Sequence, residues 1–295
     1  MTQNIHKLRK EKYCEIAKLI KSVIEKHGGV FLKLFNYGEN ESPSDVDIFV
    51  SPNNALEVLE DFARMFNAKL WRRPLISSIE VILPKNVNSE LHIDLYFEFV
   101  FTPSYRVTSI EKITYTKIPW CEESIEVPSP SQGFHAFFIM WHALKHQRLL
   151  SRYIRTLIEM FDSFSYRDLI EFLLLIRKSR LELEYMEMLY VLLLHAWTTK
   201  EIKQRAIRVV ITAIKYLSSH IGRRSLTKVL CHYHYITVRR KAFGNTEYYD
   251  LKLLKVIKIL SDISRVSKIK DLYYLLRFNL ILEYILLLMS RLGII

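Results

Sequence analysis

The sequence predicts an α+β protein in which a small mixed sheet with its own helices is followed by an all-α helical bundle. Residues 1–127 alternate short segments rich in β-branched and aromatic residues with segments of helical periodicity. From residue 128 onward, almost every segment has the periodicity of a helix. The segment VPSPSQG at 127–133 has the composition of a connection. We therefore predict one domain over 1–127 and a second over 128–295.

The N-terminal half should begin with a long helix over 3–27. Its apolar residues recur on one face, and the pair Gly28-Gly29 follows as a C-terminal cap. A second amphipathic helix is predicted over 55–66. Runs of β-branched and apolar residues predict strands at 30–37, 45–50, 76–83 and 90–101, with a further extended segment at 110–118.

The C-terminal half is predicted to be a helical bundle with short connections. Its helices are expected at 134–147, 151–164, 166–177, 182–198, 200–220, 224–241, 251–263 and 269–292. Residues 278–289 are very apolar, but Arg277, Glu283 and Arg291 interrupt the stretch before it reaches the roughly 20 residues of a membrane span. We therefore expect no membrane partner, and we assign the last helix to the core or to a homo-oligomeric interface.

The N-terminus and the cysteines indicate an intracellular environment. The opening segment, MTQNIHKLRKEKY, lacks the apolar run that directs export, so we expect a cytoplasmic protein. Cys14, Cys121 and Cys231 are odd in number and far apart in the sequence. This spacing favours buried, reduced thiols over a disulfide framework or a zinc site.

The net charge of +12 is concentrated in the second half of the chain. Residues 1–127 carry 16 Lys and Arg against 18 Asp and Glu, which leaves 27 against 13 for the remaining residues. A basic half predicts a polyanionic partner such as RNA, although solvated Lys- and Arg-rich helix faces give the same composition. The candidates to contact a triphosphate or an RNA backbone are Lys145, Arg148, Arg152 and Arg155.

Three aspartates occupy positions that favour metal binding. Asp45 and Asp47 are two residues apart in a predicted strand, so both project from the same face. Two carboxylates this close repel each other and are costly to bury, and a divalent cation between them removes the repulsion. Asp94 lies on the polar face of a later strand. If the two strands are neighbours, the three aspartates converge on a site suited to two magnesium ions.

Gly38, the run Ser44-Asp45-Val46-Asp47 at the start of a strand, and Asp94 together resemble the nucleotidyltransferase superfamily with the polymerase-β-like palm. The resemblance covers residues 28–100, and the region up to about 165 is similar to uncharacterised and AbiEii-like, toxin-type nucleotidyltransferases. It implies that Asp45 and Asp47 ligate both magnesium ions and the nucleoside triphosphate. It also implies that Asp94 helps to hold the catalytic ion and activates the acceptor hydroxyl.

The loop at Gly38 departs from the family pattern. In the family, the glycine lets the loop backbone approach the triphosphate. Here Glu39 replaces the usual serine after it, and only six residues separate Gly38 from Asp45, so Ser42 or Ser44 is the candidate to supply the missing hydroxyl. The residues predicted to contact the nucleotide are Gly38, Ser44, Lys33 and Lys145.

The function predicted from these features is magnesium-dependent transfer of a nucleoside monophosphate from a triphosphate such as ATP to a hydroxyl, with release of pyrophosphate. The basic half favours an RNA acceptor, for example a tRNA end. A protein hydroxyl in a toxin–antitoxin system, or a small molecule such as an aminoglycoside, would use the same site. Two other classes stay open: a catalytically degenerate, nucleic-acid-binding palm, and a helical scaffold whose C-terminal helix docks a partner.

Overall fold

The computed structural model describes residues 2–38, 41–66, 69–72, 78–82, 91–102, 105–121, 124–146, 148–199, 203–220, 240–243 and 246–250. The mixed α+β class predicted from the sequence is confirmed. The chain forms two compact units, of which the first takes residues 1–100 and 106–131. The second takes residues 101–105 and resumes at 132. The domain boundary after residue 127 stays a prediction.

A mixed sheet is the centre of the first unit. The N-terminal elements are α1 (Thr2–Lys26), β1 (Val30–Phe31), β2 (Asp45–Phe49), α2 (Ala55–Phe66), β3 (Lys69–Arg72), β4 (Ser78–Ile82) and β5 (His92–Tyr96). The five strands lie in the order β1-β2-β5-β4-β3. β2 and β5 are parallel, and the other neighbours are antiparallel. The two strands predicted to carry aspartates are therefore adjacent.

The helices and the sheet share one apolar core. Val46, Ile48 and Val50 are fully buried, and they belong to the same cluster as Ile20 of α1 and Phe62 of α2. Each fully buried side chain of this size contributes about 1.5–3 kcal/mol relative to an exposed one. The alternation along β2 thus places Val46 and Ile48 in this core and both aspartates on the opposite face.

The first strand is much shorter than its predicted range of 30–37. β1 ends at Phe31, and Lys33 has a φ of 52°, in the left-handed region that a strand does not use. The Leu32 amide still donates to the Asp47 carbonyl at 2.8 Å, so the chain leaves the sheet just after this bond. The apolar residues that suggested a longer strand, such as Leu34 and Phe35, are buried in the core without strand geometry.

Short strands complete the N-terminal region: β6 (Phe99–Thr102) with β7 (Tyr105–Val107), and β8 (Ile113–Lys117) with β9 (Glu126–Pro130). The predicted strand over 90–101 is wrong as one element, because it is divided into β5 and β6. β3, β7 and β9 were not predicted. β9 contains two prolines, which cannot donate to a ladder, and it pairs with a single neighbour among the described strands.

The second unit is mainly helical. Its described elements are α3 (Gln132–Lys145), β10 (Arg148–Leu150), α4 (Ser151–Ser163), α5 (Tyr166–Ser179), α6 (Glu182–Thr199), α7 (Gln204–His220), β11 (Arg240–Phe243) and β12 (Thr246–Asp250). A capping box between Ser165 and Asp168 begins α5. The unit also contains a three-stranded antiparallel sheet, β10-β12-β11, which the sequence did not predict.

The predicted helix over 224–241 is wrong at its C-terminal end, because Arg240 and Lys241 belong to strand β11 of this small sheet. β10 is three residues long, and its partner in β12 is about a hundred positions away, so no local periodicity could reveal it. The rest of that predicted helix, and the predicted helices at 251–263 and 269–292, lie outside the described residues. The proposed oligomeric interface lies there too.

No helix in the described part of the chain combines the length and apolar character that a membrane crossing needs.

A disulfide bond joins Cys14 of α1 to Cys121, which follows β8. The prediction of reduced thiols was therefore wrong for this pair. The two Cα atoms are 5.8 Å apart although the residues are 107 positions apart in the sequence. The adjacent residues Tyr13 and Trp120 pack edge to face with ring centroids 5.3 Å apart. Packing of distant segments brings the thiols together, which a spacing argument cannot detect.

Reduction of this disulfide should lower the free energy of unfolding by about 2–4 kcal/mol, because the bond closes a long loop and so reduces the conformational entropy of the unfolded chain. Urea denaturation with and without a phosphine reductant measures the change. The matched control is the Cys14→Ser/Cys121→Ser variant, which should be insensitive to the reductant. An equal response of wild type and variant would show that the bond does not stabilise the fold.

Candidate metal centre

Three carboxylates meet on the polar face of the central strands. Asp47 of β2 is the direct partner of Asp94 in the parallel register with β5, and Asp45 lies two residues before Asp47. One carboxylate oxygen from each of the three lies within 4.8 Å of the other two. Asp47 and Asp94 are 2% and 5% exposed, whereas the Asp45 side chain is 29% exposed. The site is thus buried on one side and open to solvent at Asp45.

The Lys33 ammonium lies within this cluster. Its Nζ is 2.6 Å from Oδ1 of Asp47 and 3.5 Å from Oδ2 of Asp45. The Lys33 side chain is only 9% exposed. Because φ at Lys33 is positive, the chain turns immediately after Leu32, and the lysine follows a residue that is bonded to β2. The sequence predicted Lys33 as a nucleotide contact, and the structure pairs it with two predicted metal ligands.

The donor atoms suit a hard divalent cation. All three side chains offer carboxylate oxygens, which magnesium prefers. Oδ1 of Asp47 is buried and lies 2.6 Å from the Lys33 ammonium, which compensates part of its charge. A buried carboxylate oxygen is costly unless a cation compensates its charge. These residues therefore fit a magnesium ion.

The proton affinities of Asp47 and Lys33 reflect this crowding. Burial raises the pKa of Asp47 to about 8, and the charge of Asp45 acts in the same direction, while the Lys33 ammonium opposes both. Burial by itself would lower the pKa of Lys33, but the nearby Asp47, Tyr96 and Asp45 raise it above its ordinary value. Lys33 therefore stays positively charged beside the Asp47 carboxyl group, which resists ionisation.

Two tyrosines also lie within electrostatic range of the cluster. Burial, reinforced by the charges of Asp47 and Asp45, raises the pKa of Tyr13 and of Tyr96. Both phenols are thus kept in the neutral form. Tyr96 lies on the strand face that the sequence assigned to Asp94. Tyr13 was missed, although it shares the apolar face of α1 with Ile16 and Ile20.

Ser44 and Gly38 lie on the loop that precedes β2. The Ser44 hydroxyl donates to Oδ1 of Asp45 at 2.9 Å, so it holds a predicted metal ligand. The Gly38 amide donates to Oε2 of Glu41 at 3.0 Å, and the Gly38 carbonyl accepts from Lys10 of α1 at 2.9 Å. A carboxylate of the protein therefore takes the amide that was predicted to approach a triphosphate.

Lys145 belongs to the second unit. It lies in the last turn of α3, with its ammonium 5.8 Å from the centroid of the Trp141 ring. Its contact with a nucleotide stays a prediction.

No protein-family model and no curated protein matches the sequence. Among solved structures, a tRNA-processing enzyme in an apo form matches over 97% of this chain and 92% of its own length, with 13% sequence identity and a TM-score of 0.25. At this TM-score, the match identifies neither a fold nor an activity for this chain.

Replacement of Asp47 by asparagine should change how stability depends on pH. The pKa of Asp47 is raised from 3.8 to about 8 in the folded protein, so the unfolded chain releases this proton at a lower pH than the folded one. Wild-type stability should therefore fall, relative to Asp47→Asn, as the pH rises from about 4 to about 8, by on the order of 1–3 kcal/mol. Thermal unfolding at several pH values without divalent cations measures the difference. A difference that stays constant across this window would contradict the raised pKa.

Proposed function

We propose that this protein is a magnesium-dependent nucleotidyltransferase that moves a nucleoside monophosphate from a triphosphate to a hydroxyl of RNA. The observation that carries the proposal is the group of three aspartates with ligand atoms within 4.8 Å, on neighbouring strands. The same three residues carry the sequence resemblance to the nucleotidyltransferase palm. Sequence pattern and geometry therefore support one site.

Each residue has a distinct part in the proposed reaction. The group of three aspartates would hold the magnesium, and Ser44 orients Asp45 through its hydrogen bond. When bound, magnesium neutralises the charge that develops on the triphosphate during in-line displacement. The oxygen of the acceptor hydroxyl attacks the α-phosphorus of the triphosphate. Asp94 accepts the proton that this hydroxyl loses. The bond from that phosphorus to the bridging oxygen breaks, and pyrophosphate leaves.

The loop at Gly38 must exchange partners for this role. A phosphate oxygen that binds the Gly38 amide has to displace the Glu41 carboxylate, which accepts from it at 3.0 Å. A carboxylate and a phosphate are both anions that accept hydrogen bonds from backbone amides. The contact with Glu41 is therefore compatible with a loop amide that accepts an anion.

RNA is the acceptor that the charge distribution favours. The chain has a net charge of +12, and all of the excess belongs to residues 128–295. Basic groups bind the phosphate backbone regardless of sequence and release counterions from it. Four of them, Lys145, Arg148, Arg152 and Arg155, lie on α3, β10 and α4.

A catalytically silent, nucleic-acid-binding protein is the second candidate. Two contacts favour it: Lys33 ion-pairs with two of the aspartates, and Glu41 binds the Gly38 amide. In a silent protein, the contact between Glu41 and the Gly38 amide would be permanent rather than replaced by a phosphate.

Labelled nucleoside triphosphates offered with Mg²⁺ and total RNA should separate these candidates. Wild type should transfer label to RNA, and Asp45→Ala/Asp47→Ala should lose on the order of 100-fold or more of the rate, because the charge of the displaced phosphate is no longer stabilised. Gel analysis of the RNA and protein fractions shows which acceptor carries the label. Label on protein would replace RNA by a protein hydroxyl as the acceptor.

The matched control is Glu11→Ala/Glu15→Ala, which removes two exposed acids of α1 whose surface ion pairs contribute little. It should transfer label at the wild-type rate. Equal incorporation by wild type and the aspartate double variant would eliminate the catalytic assignment, and no incorporation by either would favour the silent candidate.

RNA affinity should depend on the basic residues of the second half. Lys145→Ala/Arg148→Ala/Arg155→Ala should weaken binding and flatten its salt dependence, by a slope of about 0.7 for each phosphate of single-stranded RNA that the variant no longer neutralises. Filter binding at several salt concentrations measures the slope. Lys7→Ala/Lys12→Ala/Lys18→Ala, which removes the same charge from α1, is the control. An equal effect of both variants would refute a specific role for the second half.

A further inference from the structure

We propose that the Lys33 ammonium is a built-in cation that takes the position between Asp45 and Asp47, so that the nucleotide-free site holds one divalent ion, between Asp47 and Asp94. The inference rests on the proposed function and deepens it. It replaces the pair of magnesium ions predicted from the sequence by one magnesium ion and one lysine.

The contacts of Lys33 leave little space for a second metal ion. Its Nζ lies 2.6 Å from one carboxylate oxygen of Asp47 and 3.5 Å from one of Asp45. A magnesium ion bridging the same two carboxylates would need oxygens at about 2.0–2.1 Å, in the space that the ammonium takes. A magnesium ion and the Lys33 ammonium would also repel each other strongly if both lay between the same two carboxylates. One of them must therefore be absent.

The backbone holds Lys33 in this position. The Leu32 amide is bonded to the Asp47 carbonyl at 2.8 Å, which fixes the chain one residue before the lysine. Lys33 itself has a φ of 52°, a conformation that is unfavourable for a non-glycine residue and persists only where the surroundings impose it. Its side chain is 9% exposed, unlike that of a surface lysine. The ammonium is thus a fixed part of the site.

The remaining ligands suit a single ion. Asp47 and Asp94 are direct partners in the parallel register, so their side chains leave the sheet side by side. The Lys33 ammonium offsets one of the negative charges that the three aspartates carry when ionised, so less charge is left for metal ions to balance.

The number of Mn²⁺ ions bound per nucleotide-free chain tests the inference directly. Equilibrium dialysis with electron paramagnetic resonance of free Mn²⁺ should give one ion for wild type. Lys33→Met, which keeps the length and apolar part of the side chain but removes the charge, should bind two. Either two ions or none bound to wild type would overturn the inference, as would a single ion bound to folded Lys33→Met.

Two aspartate variants locate the ion. Asp94→Asn should weaken the single Mn²⁺ of wild type by about tenfold or more, the scale expected when a metal site loses support. Asp45→Asn should change that affinity much less in wild type, but it should return Lys33→Met from two ions to one. Equal weakening by Asp94→Asn and Asp45→Asn in wild type would contradict the assigned positions.

Separate measurements distinguish loss of folding and loss of activity from a change in the number of bound ions. Circular dichroism checks each variant, and if Lys33→Met does not fold, the count on wild type still decides the matter, with Lys33→Gln as the second neutral variant. One bound ion without any label transfer would refute the proposed function and leave the inference intact. Two bound ions with label transfer to RNA would do the reverse.

Discussion

The repulsion among three carboxylates on two adjacent, buried strands is the constraint around which the first unit is arranged. Asp47 and Asp94 are opposite each other in the β2–β5 register, and neither can move away without breaking the pairing of the central strands. Burial raises the proton affinity of Asp47, and Lys33 supplies a positive charge at 2.6 Å. Such a cluster lowers the stability of the fold unless a cation is present. Clusters of this kind are common where a protein binds a metal ion.

Helix α1 connects the parts of the first unit that surround this cluster. Its apolar face fills the core beneath the sheet, and Tyr13 on that face comes within electrostatic range of the aspartates. Lys10 donates to the Gly38 carbonyl, so the same helix also holds the loop before β2. The disulfide from Cys14 fixes the helix to the segment after β8. A change in α1 should therefore affect core, loop and site together.

In the structure, charged groups of the protein itself contact the groups that are proposed to bind ligands. The Lys33 ammonium pairs with Asp45 and Asp47, and the Glu41 carboxylate accepts a hydrogen bond from the Gly38 amide. Both contacts reduce the cost of burying unpaired polar groups while no ligand is present. In the proposed reaction, a phosphate of the nucleotide replaces Glu41 at the Gly38 amide, whereas Lys33 keeps its place. The proposed site therefore needs only one metal ion from solution before the triphosphate arrives.

The sequence by itself determined the α+β class, the helices α1 and α2, and the alternation that places Asp45 and Asp47 on the face opposite Val46 and Ile48. These features depend on local periodicity, which is present in any short window of the chain. Only the tertiary structure decided that β5 lies beside β2, that Lys33 turns into the aspartates, that Cys14 meets Cys121, and that β10 pairs with β12. Each of these depends on contacts between distant segments, and the free energy of such contacts comes from packing and charge pairing that no local pattern records.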